Sequence, residues 1–202
     1  MAIPLPPHPA EALILARVPQ DVRERVARLR LMIFDVDGVL TDGRLYYGEH
    51  GETIKRFHAL DGFGLRMLHE SGIEVVFMTG RDSPTVSRRA AELGISEVQQ
   101  GVRDKSAAVT ALAQRCNVEL DDVGFMGDDI IDLAAMQRVG FAASVAEAPT
   151  YVAQAAHWVA TRPAGDGAAR ECCDLILAAQ GRLGGYITSR TLTTITAGSS
   201  AQ

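Results

Sequence analysis

The chain has 202 residues, of which 47% are hydrophobic, so its composition suits one globular domain with a full core and excludes a disordered chain. Its net charge of −5 comes with scattered lysines and arginines and no basic stripe, so we expect no nucleic-acid binding. No apolar run reaches the roughly 18 residues of a membrane span, and prolines interrupt the N-terminus where a signal peptide is apolar, so we expect a cytoplasmic protein without membrane contact.

Apolar strand-like runs alternate with helical patterns along most of the chain. Helix boundaries lie between them: Ser83 and Pro84 start one helix, Gly94 ends it, and Asp104 caps the next. Runs that are apolar on both faces are typical of parallel strands covered by helices on both sides. We therefore predict an α/β fold, a doubly wound and mostly parallel sheet with helices on both faces. The runs are "LMIF", "IEVVFM", "SEVQ", "DVGFMG", "VGFAAS" and "HWVA".

One insertion interrupts this alternation between the first strand and a helix that begins near Asp61. Within it, strand-like segments on either side flank the turn-rich "GEHG". The pattern predicts a β-hairpin at about 43–58. An insertion of this size is too small to form a separate domain with its own core.

Two acids, Asp35 and Asp37, follow directly on the first predicted strand in the stretch "LMIFDVDGVLTDG". Buried carboxylates repel each other and are costly to remove from water, so they need compensating partners. There is no basic residue between Leu31 and Gly43. A metal ion would supply the missing positive charge.

Further polar residues fall at the ends of later strands. The second strand ends in "FMTGR", with Thr79, Gly80 and Arg81, and a later strand ends in "GFMGDDIID", which begins its acidic run with Asp128. Lys105 starts the helix after the third strand. Because ligands of open parallel sheets bind beyond the carboxyl ends of the strands, we expect these side chains to meet in one crevice.

Phosphoryl transfer to a carboxylate uses such a set. Asp35 is predicted to attack phosphorus and form an aspartyl phosphate, and Asp37 to protonate the departing sugar oxygen and then accept a proton from water. Mg²⁺ held by Asp35, the backbone carbonyl of Asp37 and Asp128 would screen the two anions from each other. Thr79 and the Gly80 N–H would donate hydrogen bonds to the phosphoryl oxygens. Lys105 would balance the negative charge of both the nucleophile and the phosphate.

Two arginines are candidates for substrate binding. Arg81 adjoins the phosphate site, where it either contacts substrate or forms an ion pair that braces the helix start. Arg170 belongs to the glycine-rich "AGDGAARE", which we expect to close over the site, and it either contacts substrate or braces that loop. A substrate carboxylate would favour nearby basic groups, and which residue contacts it stays open among Lys55, Arg56, Arg66 and Arg81. The roles of Asp129 and Asp132 stay open as well.

The quoted motifs "DVDGVLTDG", "MTGR", the lysine and "GDDIID" resemble, in order, the four motifs of the haloacid dehalogenase superfamily. The hairpin in place of a cap domain and "RPAGDGAARECCDLILAAQGRL" are similar to the 3-deoxy-D-manno-octulosonate 8-phosphate phosphatases, over roughly Val18 to Leu183. The resemblance implies one domain at 18–183 and leaves an N-terminal extension at 1–17. The remaining stretch, 184–202, is low in core-forming residues and ends in Gly, Ser and Ala, so we expect a tail that is flexible or engaged only by a partner.

That resemblance also implies an activity and an assembly. We expect a Mg²⁺-dependent phosphatase that hydrolyses 3-deoxy-D-manno-octulosonate 8-phosphate for lipopolysaccharide synthesis. Since a hairpin alone covers little of a site, we expect a homotetramer in which a neighbouring subunit roofs each one. Alternatives are a phosphatase for a nine-carbon sugar acid phosphate and, in other classes, a phospho-accepting or an oligomerisation module without turnover.

Overall fold

The computed structural model describes residues 8–188. The chain alternates strands and helices in the predicted order after two N-terminal helices. The strands are β1 (Leu31–Phe34), β2 (Tyr46–Gly48), β3 (Gly51–Ile54), β4 (Glu74–Met78), β5 (Glu97–Gln99), β6 (Val123–Met126), β7 (Phe141–Ser144) and β8 (Trp158–Val159). The helices are α1 (Pro9–Leu15), α2 (Gln20–Ala27), α3 (Ala59–Glu70), α4 (Pro84–Leu93), α5 (Lys105–Arg115), α6 (Leu133–Met136), α7 (Thr150–Ala155), α8 (Ala168–Ala179) and α9 (Leu183–Ile187).

Six of the strands form one parallel sheet in the order β5-β4-β1-β6-β7-β8. From β1 the chain first adds β4 and β5 on one side and then returns to add β6, β7 and β8 on the other. The direction of winding therefore reverses beside β1, and its carboxyl end is the place where a doubly wound sheet binds ligands. The predicted fold class is confirmed.

The core has two halves, one on each face of the sheet. Met32 and Phe34 of β1 face helices α2, α3, α4 and α8. Leu31 and Ile33 face helices α5, α6 and α7. All four of these strand residues are 0% exposed, which is why β1 reads as a continuous apolar run and not as an alternating one.

Two helices that follow strands begin and end as their sequences predict. Pro84 stands in the first turn of α4, and Gly94 ends that helix at φ +77°, a left-handed conformation that glycine adopts without strain. The Asp104 side chain accepts a hydrogen bond from Ala107 N at 2.9 Å and so caps α5. This cap places Lys105 at the helix start, directly beside the carboxyl ends of the strands.

The insertion forms the predicted hairpin, in which β2 and β3 pair antiparallel as a separate two-stranded sheet. Several of its apolar side chains are exposed: Tyr47 is 63% exposed and Ile54 is 59% exposed. Within residues 8–188, no element of a cap domain accompanies the hairpin, and no helix there has the length and apolar character needed to cross a membrane.

Helix α1 lies before the domain boundary inferred at 18, α9 begins at the boundary inferred at 183 and runs past it, and both helices pack against α8. The Glu11 carboxylate of α1 accepts a hydrogen bond from Gly184 N at 2.7 Å, and Glu11 is 2% exposed. A buried hydrogen-bonded carboxylate therefore joins the two ends of the described chain. The remainder of the predicted tail, 189–202, lies outside the described residues.

The edge strand β8 depends on a neutral histidine. His157 Nδ1 accepts a hydrogen bond from Ala142 N at 2.8 Å, and His157 N donates to the Ala142 carbonyl at 2.9 Å. Burial, followed by the charge of Arg25 and only partly opposed by Asp21, lowers the pKa of His157. Protonation of the imidazole would remove the lone pair that Ala142 N–H uses.

We expect the free energy of unfolding to fall as the pH drops below about 6.5, because the unfolded chain then binds a proton that the folded imidazole resists. His157→Asn places a non-titrating amide oxygen near Nδ1. Between about pH 7.5 and about pH 5.5, urea unfolding should show the wild type losing about 1 kcal/mol more than this variant, the value of one hydrogen bond. If the wild type and His157→Asn lost the same free energy of unfolding over this pH range, the role given to His157 would be contradicted.

Candidate active site

A buried ion pair stands at the carboxyl end of β1. Asp35 is 4% exposed and Lys105 is 3% exposed, and Lys105 Nζ lies 2.8 Å from Asp35 Oδ1. Burial raises the pKa of Asp35 to about 6, although the charge of Lys105 opposes this rise. The structure thus brings together the predicted nucleophile and the predicted lysine, with the lysine favouring the ionised form that a nucleophile needs.

Asp132 is a second carboxylate in contact with Lys105. It is 0% exposed, and its Oδ1 lies 2.6 Å from Lys105 Nζ. Its Oδ2 accepts hydrogen bonds from Asp128 N at 3.1 Å and Asp129 N at 3.2 Å, in the turn that follows β6. Burial acts to lower the pKa of Lys105, but the charges of Asp35 and Asp132 outweigh it and raise that pKa. Lys105 is therefore held as an ammonium between two carboxylates.

Asp128 completes a group of acids that fits a metal ion. Carboxylate oxygens of Asp35, Asp128 and Asp132 lie within 4.8 Å of one another. Asp128 Oδ1 is buried and has no hydrogen-bond partner in the part of the chain that the structure describes. Burial, then the charges of Asp35 and Asp132, raise the pKa of Asp128 to about 8. An unpartnered oxygen among crowded carboxylates is what a hard divalent cation such as Mg²⁺ would ligate.

Gly38 makes room for this acid. Its φ is +92°, and a Cβ added to it would lie 2.1 Å from Asp128 Oδ2. No other residue type could stand there without displacing the Asp128 carboxylate. The glycine in "DVDG" therefore lets the loop after β1 lie against the Asp128 carboxylate after β6, and it also adopts the positive φ of this turn.

The Asp37 side chain contacts the hairpin. Its Oδ1 accepts a short hydrogen bond from Lys55 Nζ, and Thr79 Oγ1 lies 3.4 Å from its Oδ2. The Lys55 side chain is 2% exposed and also lies 2.8 Å from Glu52 Oε1. Since the Asp37 side chain is engaged here, only its backbone carbonyl is left as the predicted metal ligand.

The phosphate-binding residues predicted after β4 lie beside Asp37. Thr79 is 1% exposed, and its Oγ1 accepts a hydrogen bond from Arg81 N at 3.1 Å. Gly80 is exposed, and its N–H donates to no acceptor among residues 8–188. A free backbone donor next to the Asp37 carboxylate suits the oxygens of a phosphoryl group.

Arg81 is engaged by the hairpin in this single chain. Its guanidinium donates to Glu52 Oε2 at 2.7 Å and to the Tyr47 hydroxyl at 2.9 Å, and its Nε lies 4.0 Å from Asp37 Oδ2. Burial acts to raise the pKa of Glu52, but its hydrogen bonds with Lys55 and Arg81 outweigh this and lower that pKa. These contacts tie Arg81 to the hairpin and not to the start of α4, and its contact with substrate stays a prediction.

Arg170 has its contacts on α8 and α3. Its Nε donates to Asp174 Oδ1 at 2.8 Å, its guanidinium lies 5.7 Å from the centre of the Phe63 ring, and its backbone N donates to Asp61 Oδ1 at 2.8 Å. It lines a cavity of about 620 Å³ that includes none of the predicted catalytic acids. Within one chain the structure therefore does not bring Arg170 together with Asp35. Its guanidinium pairs along α8 with Asp174, and its predicted role at the substrate or the loop stays a prediction.

The glycine-rich loop itself does lie near the site. Gly165 N donates to the Val39 carbonyl at 3.0 Å, and a Cβ on Gly165 would lie 2.4 Å from the Thr41 carbonyl carbon. The loop also lines a cavity of about 400 Å³ whose other wall includes Asp128 and Gly38. This cavity adjoins the acids and is open to a ligand larger than phosphate.

The sequence left Asp132 without a defined role and did not single out Glu52. Lys55 was a candidate for contact with a substrate carboxylate, but in the single chain its ammonium contacts Asp37 and Glu52. Asp132 lies four residues after Asp128, and its role depends on a turn that folds it back beneath Lys105. Lys55 carries one available signal: it is one of only two lysines in the chain.

The sequence pattern of the haloacid dehalogenase-like hydrolases matches residues 95–171, a range that includes Lys105, Asp128 and Asp132 of this site. Relatives narrow this class. The chain is 43% identical to 3-deoxy-D-manno-octulosonate 8-phosphate phosphatase KdsC from Yersinia pestis over 168 residues, which are 83% of this chain and 90% of that protein.

Solved structures agree. The 3-deoxy-D-manno-octulosonate 8-phosphate phosphatase from Moraxella catarrhalis, in complex with magnesium, phosphate and KDO, is 38% identical with a TM-score of 0.81, covering 83% of this chain and 96% of its own. The cobalt-bound deoxy-D-mannose-octulosonate 8-phosphate phosphatase from Haemophilus influenzae is 40% identical with a TM-score of 0.81, over 84% and 99%. The chain belongs to the family of 3-deoxy-D-manno-octulosonate 8-phosphate phosphatases, whose named members are phosphoric monoester hydrolases.

Proposed function

We propose that the protein hydrolyses 3-deoxy-D-manno-octulosonate 8-phosphate to the free sugar acid and phosphate, in the cytoplasm, as a step that supplies lipopolysaccharide synthesis. The observation that carries the chemistry is the buried Asp35 carboxylate, paired with Lys105 at 2.8 Å beside an acid group able to hold a metal. The substrate is supported by family membership, because the named relatives act on this sugar phosphate.

In the first half of the reaction an Asp35 oxygen attacks phosphorus, and the bond between phosphorus and the sugar oxygen breaks. Asp37 donates its proton to that oxygen, which leaves as the sugar alcohol. In the second half Asp37 accepts a proton from a water molecule that attacks the aspartyl phosphate. The bond between phosphorus and Asp35 then breaks, which releases phosphate and restores both carboxyl groups.

The other residues hold charge and orientation during these steps. Lys105 balances the anionic nucleophile, while Thr79 and the unpaired Gly80 N–H donate to the phosphoryl oxygens. Asp35, the Asp37 carbonyl and Asp128 would hold Mg²⁺, and the unpartnered Asp128 Oδ1 supports this ligand set. The bound cation would screen the phosphate from the nucleophile and polarise the phosphoryl oxygen.

The substrate is tested by comparing kcat/KM across a panel of sugar phosphates with Mg²⁺ present. We expect the eight-carbon sugar acid phosphate to exceed a nine-carbon acid phosphate and a hexose phosphate by at least about tenfold, or about 1.4 kcal/mol in transition-state binding. A tenfold preference for the nine-carbon acid would overturn the substrate and keep the phosphatase. A stable phosphoprotein without turnover would instead identify a phospho-accepting module.

We also propose that the active form is a homotetramer in which hairpins associate and a neighbour covers each site. The exposed apolar side chains of the hairpin support this, since Tyr47 and Ile54 are each more than half exposed in the single chain. Sedimentation velocity at assay concentration should give the mass of four chains, and dilution below the association range should reduce kcat. A fully active monomer would refute the assembly.

A further inference from the structure

The chain has 20 basic residues, and only two of them are lysines, Lys55 and Lys105. Both lysine side chains are 2% exposed, and each ammonium contacts an aspartate of the loop after β1: Lys105 contacts Asp35 and Lys55 contacts Asp37. An ammonium is a compact charge that can touch two separate carboxylates, whereas a guanidinium is a planar fork suited to one. Lys105 has a proposed role beside the nucleophile, and the equally buried Lys55 needs an explanation of its own.

We infer that Lys55 is a positioning residue, through which the hairpin orients Asp37 for proton transfer. This inference rests on the proposed function of Asp37 as acid and base. Lys55 reaches Asp37 from the end of β3, so the partner of the proposed acid belongs to the insertion and not to the sheet. The hairpin then has a role inside its own subunit, in addition to any role between subunits.

The contact restricts which oxygen of Asp37 can carry the transferred proton. An ammonium has three donors and no acceptor, so the oxygen it contacts, Oδ1, must accept. A proton on the carboxyl group therefore resides on Oδ2, the oxygen that accepts a hydrogen bond from the Thr79 hydroxyl at 3.4 Å while Asp37 is ionised. Thr79 belongs to the proposed phosphate site, so Lys55 directs the acidic proton towards the bond that breaks.

The second contact of Lys55 fixes the hairpin to the end of β4. Glu52 Oε1 lies 2.8 Å from Lys55 Nζ, and Glu52 Oε2 accepts from Arg81 at 2.7 Å. Lys55 is therefore held from both sides, by the acid that it orients and by a carboxylate braced on the strand that carries Thr79. Removal of the lysine would leave Asp37 Oδ1 and Glu52 Oε1 without their shared ammonium, and the nearest cation left to Asp37 would be Arg81, whose Nε lies 4.0 Å from Oδ2.

The test compares two leaving groups. An alkoxide needs a proton as it departs, whereas p-nitrophenolate leaves without one, so a defect in proton delivery affects kcat/KM for the sugar phosphate far more than for p-nitrophenyl phosphate. For Lys55→Met we expect kcat/KM to fall at least about 100-fold for the sugar phosphate, and the loss for the aryl phosphate to be smaller by about tenfold or more. Lys55→Arg, which keeps the charge, should recover part of the sugar-phosphate rate.

Thr53→Val is the matched control, since it removes a hydroxyl that donates to the Tyr46 carbonyl in the same hairpin and contacts neither carboxylate. Any fall in kcat/KM that Thr53→Val causes should be equal for the two substrates. If Lys55→Met lowered kcat/KM equally for the sugar phosphate and the aryl phosphate, the positioning role would be overturned. Turnover by the wild type would still support the proposed function. Wild type without turnover of either substrate would instead reject the function itself.

A readout independent of activity uses the small number of lysines. With ¹⁵N-lysine, the folded protein should give two ammonium signals in NMR spectra, and Asp37→Asn should shift the Lys55 signal while the Lys105 signal stays nearly unchanged. If Lys55→Met does not fold, the Lys55→Arg rates and this spectrum decide the question. A Lys55 signal that ignores Asp37→Asn would contradict the contact.

Discussion

Asp35→Asn should abolish turnover, with a fall in kcat of at least about 10⁴-fold, because an amide cannot form the bond to phosphorus. The fold should survive, since Lys105 keeps its contact with Asp132 at 2.6 Å and stays paired. The measurement is phosphate release from the sugar phosphate by freshly purified protein whose mass excludes deamidation, together with urea unfolding of the same sample.

Asp121→Asn serves as the matched control for that loss. Asp121 is exposed and lies in the turn Leu120–Asp122 before β6, at the opposite end of the strands from the site. The same change of carboxylate to amide there should leave kcat within a factor of about two. Substantial activity in well-folded Asp35→Asn would reject the covalent mechanism.

Asp128→Asn should stabilise the metal-free protein and at the same time weaken its response to Mg²⁺. Burial and neighbouring carboxylates raise the pKa of Asp128 from 3.8 to about 8. Its folded-state pKa is raised, so ionisation of this group destabilises the metal-free fold progressively as the pH rises between those two values. An amide at this position removes the cost, and metal-free Asp128→Asn should unfold at higher urea than the wild type near pH 8.

The response to the cation should have the opposite sign. For the wild type, Mg²⁺ at about 100 times its dissociation constant should add about 2.7 kcal/mol to the free energy of unfolding. Asp128→Asn should gain much less at that concentration, with a lower kcat and a higher Mg²⁺ requirement. Asp129→Asn is the control, because Asp129 is exposed and asparagine also caps a helical turn. Equal Mg²⁺ stabilisation in Asp128→Asn would remove Asp128 from the ligand set.

These two experiments separate the stability of the site from its activity. The acids of the site destabilise the metal-free chain through burial and mutual repulsion, as the raised pKa values of Asp35 and Asp128 indicate. A site that needs several carboxylates for one cation cannot also be optimal for folding without it. A variant that is more stable but less active is therefore the signature expected of a functional acid at this position.

Local patterns in the sequence are enough to locate the strands, the hairpin and the main residues of the site. A buried parallel strand is a short apolar run with no alternation, so each run could be recognised without knowing its neighbours. The residue that follows such a run lies at the carboxyl end of the strand, which is why Asp35, Thr79 and Asp128 could be assigned to one edge of the sheet. Helix caps such as Asp104 are local as well, since their partners lie within one turn.

The partners of the charged side chains depend on tertiary contacts that no local pattern contains. Lys55 meets Asp37 because the hairpin folds back over β1, and Arg81 meets Glu52 for the same reason. Arg170 is an exception, because its partner Asp174 lies one turn along α8, at a spacing that the sequence alone contains. A long side chain can reach several partners at similar cost, so its choice is decided by which carboxylate the packed backbone brings within reach and shields from water.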